Sequence, residues 1–248
     1  PNNRRNTPVH RFRNRAITDT FEPGSTMKPL AVLSALEFGT AELDTMVDVS
    51  PGVMRIGGSW VRDPNNYGSL SLGGIIQKSS NMGVARLVLQ IPHQHVVGLY
   101  HNLGLGQDTG TGLTGESSGI FSFRQRWSDF ERATFSYGYG LSVTAVQLAR
   151  AYAAIGNGGI SRPLTILKTA EPETGEQVLK PEHAGAMLEM MEASIAPGGT
   201  ATRAQIPGYR VGGKTGTARK AIAGGYGDDY VASFAGVGPI SNPRLVTV

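Results

Sequence analysis

The 248-residue chain contains no cysteine, which excludes disulfide bonds, thiolate nucleophiles and cysteine-ligated metal sites. It has no apolar run long enough to cross a bilayer, which takes about 20 consecutive residues. Its first residues do not begin a secretory leader. Charged residues are only 17% against 40% hydrophobic, the balance of an ordinary globular chain rather than a disordered one. The length allows one large domain or two small ones with a full core. Acidic residues are missing from the first 15 positions, where Arg4, Arg5, Arg11, Arg13 and Arg15 accompany His10. This arm concentrates the net charge of +4. No interleaved aromatics or base-reading motif stand near it, so nucleic acid is not an expected partner; a solvated arm, or a basic loop beside an anionic substrate, is. His93-Gln94-His95 lacks a third ligand at metal spacing, so neither metal nor other cofactor is expected.

Apolar periodicity and turn residues divide the chain. Lys28 to Phe38 is apolar nearly all round and precedes Gly39, the pattern of a buried helix with a glycine cap. Short extended pieces between 48 and 63 turn at Pro51-Gly52 and Gly57-Gly58. Helices are expected over 71–78, 82–89, 92–103, 127–135, 143–155 and 183–195, with a long loop over 104–119. Strands are expected over 163–168 and 177–179, then over 209–211, 213–220, 230–236 and 245–248 with glycine-rich turns, an antiparallel meander. The first residues read as mid-loop and the last as mid-strand. The expectation is a piece cut at both ends, unstable by itself if it stops at Val248.

Glu22-Pro23-Gly24-Ser25-Thr26-Met27-Lys28-Pro29 combines a chain break with the start of that apolar helix. A helix beginning at Ser25 places its hydroxyl beside the Lys28 amine, because positions i and i+3 share a face. A hydroxyl needs a base to become a nucleophile, and a desolvated lysine is one such base. Ser25 is equally a favoured helix cap and Lys28 a common solvated side chain, so this stretch alone does not decide between chemistry and capping.

Gly208 to Thr215 satisfies the phosphate-loop pattern G-x-x-x-x-G-K-T letter for letter. A phosphate loop needs a helix starting at its Lys-Thr; here Gly216 falls in that first turn and Gly224-Gly225 closes the run. Nucleotide binding is therefore only a distant alternative. A different reading makes Lys214-Thr215-Gly216-Thr217 part of a strand. Ser25-Thr26-Met27-Lys28 is the only S-x-x-K in the chain, Ser79-Ser80-Asn81 the only S-x-N and Lys214-Thr215-Gly216 the only K-T-G. Each is weak alone, but the three together in this order are specific to penicillin-binding proteins and their β-lactamase relatives.

The resemblance extends over nearly the whole chain. Arg15 to Asp19 running into Glu22 to Pro29, Tyr137-Gly138-Tyr139-Gly140-Leu141-Ser142 through Ala149, and Val211 to Ala218 are similar to class B penicillin-binding proteins. Among these the chain most resembles the septal, division-specific peptidoglycan D,D-transpeptidases of Gram-negative bacteria. The resemblance implies a mixed α/β (α+β) transpeptidase fold, an antiparallel sheet flanked by helices plus an all-helical lobe over about 65–160. It implies a periplasmic enzyme held to the inner membrane by an N-terminal anchor outside this chain. Its substrates would be stem peptides ending in D-Ala-D-Ala, its inhibitors β-lactams, and its partners division-complex membrane proteins including a lipid-linked glycan polymerase.

By the same resemblance Ser25 is the nucleophile and Lys28 the favoured base. The backbone N–H groups of Ser25 and Thr217 form the oxyanion hole. Ser79 relays a proton, and Asn81 orients Lys28 and holds a substrate amide; locally, Ser79 to Asn81 also reads as a helix break or cap. Lys214, Thr215 and Thr217 bind the substrate carboxylate, and Gly216 admits the substrate backbone. Tyr137 and Tyr139 line the cleft or serve as turn and packing residues. Bringing a lysine from about 10.4 to about 7 takes roughly 4–5 kcal/mol of environment; burial and Lys214 both act in that direction. The Glu-x-x-Leu-Asn loop that deacylates class A β-lactamases has no counterpart here, which favours an acyl-enzyme resolved by an amine. A D,D-carboxypeptidase and a β-lactam sensor remain the alternatives on the same fold.

Overall fold

The computed structural model describes Asn6 and residues 8–171, 173–222 and 224–248; Arg4 and Arg5 of the basic arm lie outside these. Of the same arm, Arg13 and Arg15 both pair with Asp19, Arg15 at 2.8 Å. Their hydrogen bonds, Arg15's first, hold that carboxyl at about 2.

The chain begins with the short helix α1 (Arg15–Thr18) and strand β1 (Thr20–Phe21). A 3-10 turn over Gly24–Met27 leads into helix α2 (Lys28–Phe38), which Gly39 ends at φ 82°. Glycine suits this left-handed position because a Cβ is penalised there. Leu30, Ala31, Val32 and Leu33 of α2 are wholly buried, each large side chain contributing about 1.5–3 kcal/mol. Strands β2 (Met46–Asp48), β3 (Val53–Ile56), β4 (Ser59–Arg62) and β5 (Ser69–Ser71) follow as antiparallel pairs β2–β5 and β3–β4. The expected turns at 51–52 and 57–58 separate them.

A helical region comes next: α3 (Leu72–Lys78), α4 (Asn81–Leu89), α5 (His93–Asn102) and α6 (Asp129–Ser136). The last is opened by a capping box between Ser128 and Glu131. Strand β6 (Val143–Thr144) pairs with β1, and helix α7 (Ala145–Gly156) starts behind it on a second capping box, Thr144 with Gln147. The expected helix from 143 therefore begins two residues later, because β1 captures the backbone at 143–144. Strands β7 (Ile160–Ser161) and β8 (Glu176–Gln177) pair with each other, and helix α8 (Pro181–Ile195) follows. The rest is the sheet β9 (Gly212–Ile222), β10 (Gly225–Gly238) and β11 (Leu245–Thr247), antiparallel in the order β11-β10-β9, with α8 and α7 packed against it. The fold is mixed α and β, as expected.

Two expected strands are absent. Over 163–168 the Thr165 hydroxyl takes the Leu167 N–H at 3.0 Å, and Ile166 and Leu167 are exposed. A local side-chain turn replaces the ladder. Residues 209–211 form the exit of a tight turn through Gly208 at φ 82°, bridged from Ile206 to Tyr209; strand geometry begins at Gly212.

Candidate active site

Ser25 lies half-buried inside the 3-10 turn, and its carbonyl accepts the Lys28 backbone N–H. The helix starts at Lys28 rather than at Ser25, so the hydroxyl stands one tight turn ahead of α2. This turn is tied down from three sides. Thr26 Oγ1 donates to the Pro23 carbonyl at 2.8 Å, buried Tyr152 Oη donates to the Thr26 carbonyl at 2.8 Å, and Gly24 N–H donates to the Gly138 carbonyl at 3.2 Å. Gly138, at φ 89°, has no room for a side chain: a Cβ there would stand 2.2 Å from the Gly24 carbonyl.

Lys28 is 1% exposed. Its ammonium donates to Ser79 Oγ at 3.0 Å and to the Ser79 carbonyl. Ser79 ends α3 at φ 57°, the one non-glycine residue at positive φ among the described residues. A left-handed serine is a sparsely populated conformation, and here it turns both oxygens of Ser79 to one amine. Ser80 caps α4 through Gly83 N–H. The helix break expected at Ser79–Asn81 is thus real, and the same break supplies the contact to Lys28. Burial first, and Lys214 second, hold Lys28 well below the ordinary 10.5, with Asp63 opposing them. Burial of this kind disfavours the charged form of an amine.

Lys214 is fully buried in β9, and burial pushes it down to about 8. Its ammonium reaches the Thr215 carbonyl at 3.2 Å, and Thr215 Oγ1 shares a hydrogen bond with Thr200 Oγ1 at 2.9 Å. Thr217 is exposed, and a Cβ on Gly24 would touch its carbonyl at 3.0 Å. The backbone segments carrying Ser25 and Thr217 are therefore in contact. Lys214 and Thr215 lie in a strand and no helix starts at them, so the phosphate-loop geometry is not present.

Two residues make contacts inside the protein that the motifs alone do not indicate. Asn81 Nδ2 donates to the Arg62 carbonyl at the end of β4 at 3.0 Å, while the hydrogen bonds of the Lys28 ammonium among the described residues go to Ser79. Gly216 is needed for a reason inside the protein: a Cβ would stand 2.6 Å from the Pro23 carbonyl and 3.0 Å from Thr26 Cγ2. The missing side chain lets β9 close on the Ser25 turn. Tyr139 is half-buried, its ring meeting Tyr137 at 5.9 Å and Tyr226 at 5.4 Å, both edge to face. It belongs to an aromatic row at the edge of the site.

Asp63 was not visible in the sequence. It accepts from Ser80 Oγ, from Asn81 N–H at 2.6 Å and from Met82 N–H at 3.1 Å, which caps α4 and fixes the Ser79–Asn81 bend. No motif marks it; only its position just after β4, beside an N-terminus that needs an acceptor, reveals it.

The chain matches the family model for the penicillin binding protein transpeptidase domain over residues 1–248. It is 48% identical to the peptidoglycan D,D-transpeptidase FtsI of Escherichia coli strain K12, aligning over all of this chain and 42% of that protein. It is 41% identical to the probable peptidoglycan D,D-transpeptidase PenA of Neisseria gonorrhoeae, over 94% of this chain and 40% of that protein. Among solved structures, the apo transpeptidase domain of Burkholderia pseudomallei penicillin-binding protein 3 superposes with a TM-score of 0.91 at 43% identity, covering 95% of this chain and 72% of that one. The chain thus spans about two fifths of the length of these curated relatives. It belongs to the penicillin-binding protein transpeptidase family.

Proposed function

We propose that this member of the penicillin-binding protein transpeptidase family is the catalytic domain of a septal peptidoglycan D,D-transpeptidase. The observation that carries the reading is Lys28: a buried amine, held below its ordinary range and donating to Ser79 Oγ at 3.0 Å. It lies one turn after Ser25 and within the field of Lys214.

In the proposed reaction Lys28 takes the Ser25 proton as Oγ attacks the penultimate D-Ala carbonyl carbon. The oxyanion is received by the Ser25 and Thr217 N–H groups. The C–N bond breaks and the terminal D-Ala amine leaves with a proton passed from Lys28 through Ser79. An acceptor amine then attacks the acyl-enzyme carbonyl and gives its proton to Lys28; the ester C–O bond breaks, Lys28 returns that proton to Ser25 Oγ, and a peptide cross-link is formed. Lys214, Thr215 and Thr217 hold the donor's carboxylate by charge and hydroxyl groups. Gly216 keeps β9 against the Ser25 turn, Asn81 faces the donor amide, and Tyr139 lines the cleft. The region 65–160 is the helical lobe on one side of that cleft. β-Lactams, acting as donor analogues, would stop at the acyl-enzyme. The full-length protein would work on the periplasmic face of the inner membrane, anchored through an N-terminal segment and partnered by division proteins that include a lipid-linked glycan polymerase.

A fluorescent penicillin should label the protein on Ser25, and labelling that persists in Ser25→Ala would refute the nucleophile. Supplying a D-Ala-D-Ala donor with an amine acceptor separates the readings: a cross-linked product supports transpeptidation. Hydrolysis alone would make the protein a carboxypeptidase, and a stable adduct without turnover a sensor.

A further inference from the structure

We infer that Glu22 is a positioning residue that latches the outer half of the β9–β10 hairpin onto the Ser25 turn, and so sets the affinity of the site for its acyl donor. The inference rests on the acyl-donor reading above and adds to it a residue and a device.

The outer half of the hairpin has little else to hold it. From Arg219 onward most residues of β9 and of the returning β10 are exposed, and the ladder between the strands loses its register between Tyr226 and Tyr230. Yet Tyr226 Oη donates to Glu22 Oε1 at 3.0 Å, an interaction between residues 204 apart in the chain. The same Oε1 accepts the Gly140 N–H at 2.8 Å. One carboxylate oxygen therefore joins three segments: the stretch entering the Ser25 turn, the Tyr137–Gly140 turn and the hairpin. The other oxygen, Oε2, is enclosed and has no hydrogen-bond partner among the described residues, so the carboxylate is committed to these contacts rather than to bulk water. Hydrogen bonds to an ionised acceptor are among the stronger ones in proteins.

The ring of Tyr226 makes the second attachment, standing edge-on to Tyr139 at 5.4 Å and 86°, a favourable aromatic geometry. Burial, and then the neighbouring carboxylate, push the Tyr226 phenol upward, so it stays a donor throughout the physiological range. Inward along the same strand pair lie Thr217 and Lys214, paired with Ala232 and Ala235. The latch thus fixes the far end of the element whose near end presents the carboxylate-binding groups. Releasing it would let the wall beside Thr217 move while the Lys28–Ser79 hydrogen bonds and the Ser25 turn stay in place. The expected effect is on donor affinity, not on the bond-making step.

The test uses the full-length protein and acylation by a fluorescent penicillin, measured to saturation so that half-saturating concentration and limiting rate separate. Tyr226→Phe removes only the phenol O–H at a surface position and leaves the fold unthreatened. Losing a hydrogen bond to a charged group corresponds to roughly a tenfold rise in half-saturating concentration, with the limiting rate unchanged. Glu22→Ala, which also frees the Gly140 N–H, should raise it at least as much, the double variant should be no worse than the poorer single one, and Glu22→Gln, which keeps an acceptor oxygen, should recover most of the loss. A Tyr226→Phe protein indistinguishable from wild type would overturn the latch. So would full additivity in the double variant, or a fall confined to the limiting rate. Failure of the underlying donor reading would show separately, as absence of Ser25 labelling in the wild-type protein.

Discussion

Replacing Gly216 by alanine is the sharpest test of how the site is assembled. The strand backbone at 216 is outside the left-handed region, so alanine is conformationally acceptable and only its Cβ matters. That atom would stand 2.4 Å from Ser233 Oγ, 2.6 Å from the Pro23 carbonyl oxygen and 3.0 Å from Thr26 Cγ2. Ser233 can rotate its hydroxyl away. Pro23 cannot yield, since its carbonyl is backbone and already accepts from Thr26 Oγ1. A carbon and a carbonyl oxygen rest about 3.3 Å apart at closest, so β9 must retreat from the Ser25 turn by about 0.7 Å. Overpacking of this kind costs about 1–3 kcal/mol, and in a chain of this size each kcal/mol lowers the melting temperature by about 2–4 °C. The larger consequence is catalytic. Thr217 lies one residue beyond Gly216, and a displacement approaching 1 Å between reacting groups can reduce a rate on the order of 100-fold. Acylation by a fluorescent penicillin, followed beside a thermal melt, would read both effects. A Gly216→Ala protein with wild-type melting and wild-type acylation would refute the claim that the absent side chain is what seats the strand on the turn.

Asp63→Asn should move the acid limb of the acylation rate to lower pH. Asp63 is the charge that raises Lys28 against burial and Lys214, so without it Lys28 remains neutral further into acid. The weakened cap on α4 should cost about 1 kcal/mol, lowering the melting temperature by about 2–4 °C, and an acid limb that stays put or moves upward would refute the coupling. His93 sits 8% exposed between Trp127 at 4.2 Å and Phe135 at 5.4 Å. Burial first, then Arg132 and Arg124, hold it at about 4 against an ordinary 6.5. Between those values the unfolded chain binds the proton more readily, so its stability contribution is whole above 6.5 and is lost as pH falls through 4. The loss reaches up to about 3 kcal/mol. His93→Phe should flatten the melting temperature across that window; parallel acid-induced losses in both proteins would show that His93 is not the group responsible.

How much could be read beforehand follows from the range over which each feature is specified. Helix α2 and its Gly39 cap, the break at Ser79–Asn81, the loop over 104–119 and the final meander are local matters of periodicity, capping and turn chemistry. All were legible within a few residues. So were the three short motifs, whose order alone pointed to the family. The misreadings were also local: an extended segment at 163–168 that curls on its own threonine, and one at 209–211 preempted by Pro207-Gly208.

What the sequence by itself determined, then, was which elements form and which three short motifs mark the family, because those choices rest on neighbours along the chain. Only the tertiary structure decided what the side chains of those motifs touch. Lys28 is depressed because α2 is buried on every side and Lys214 arrives from the far end of the chain. It is held by Ser79, 51 residues away. The bend presenting Ser79 is set by Asp63, 17 residues before Ser80, and the turn presenting Ser25 is closed by a strand that fits only because residue 216 has no side chain. These are contacts between surfaces remote in sequence, and their energies exist only once the core has brought the segments together.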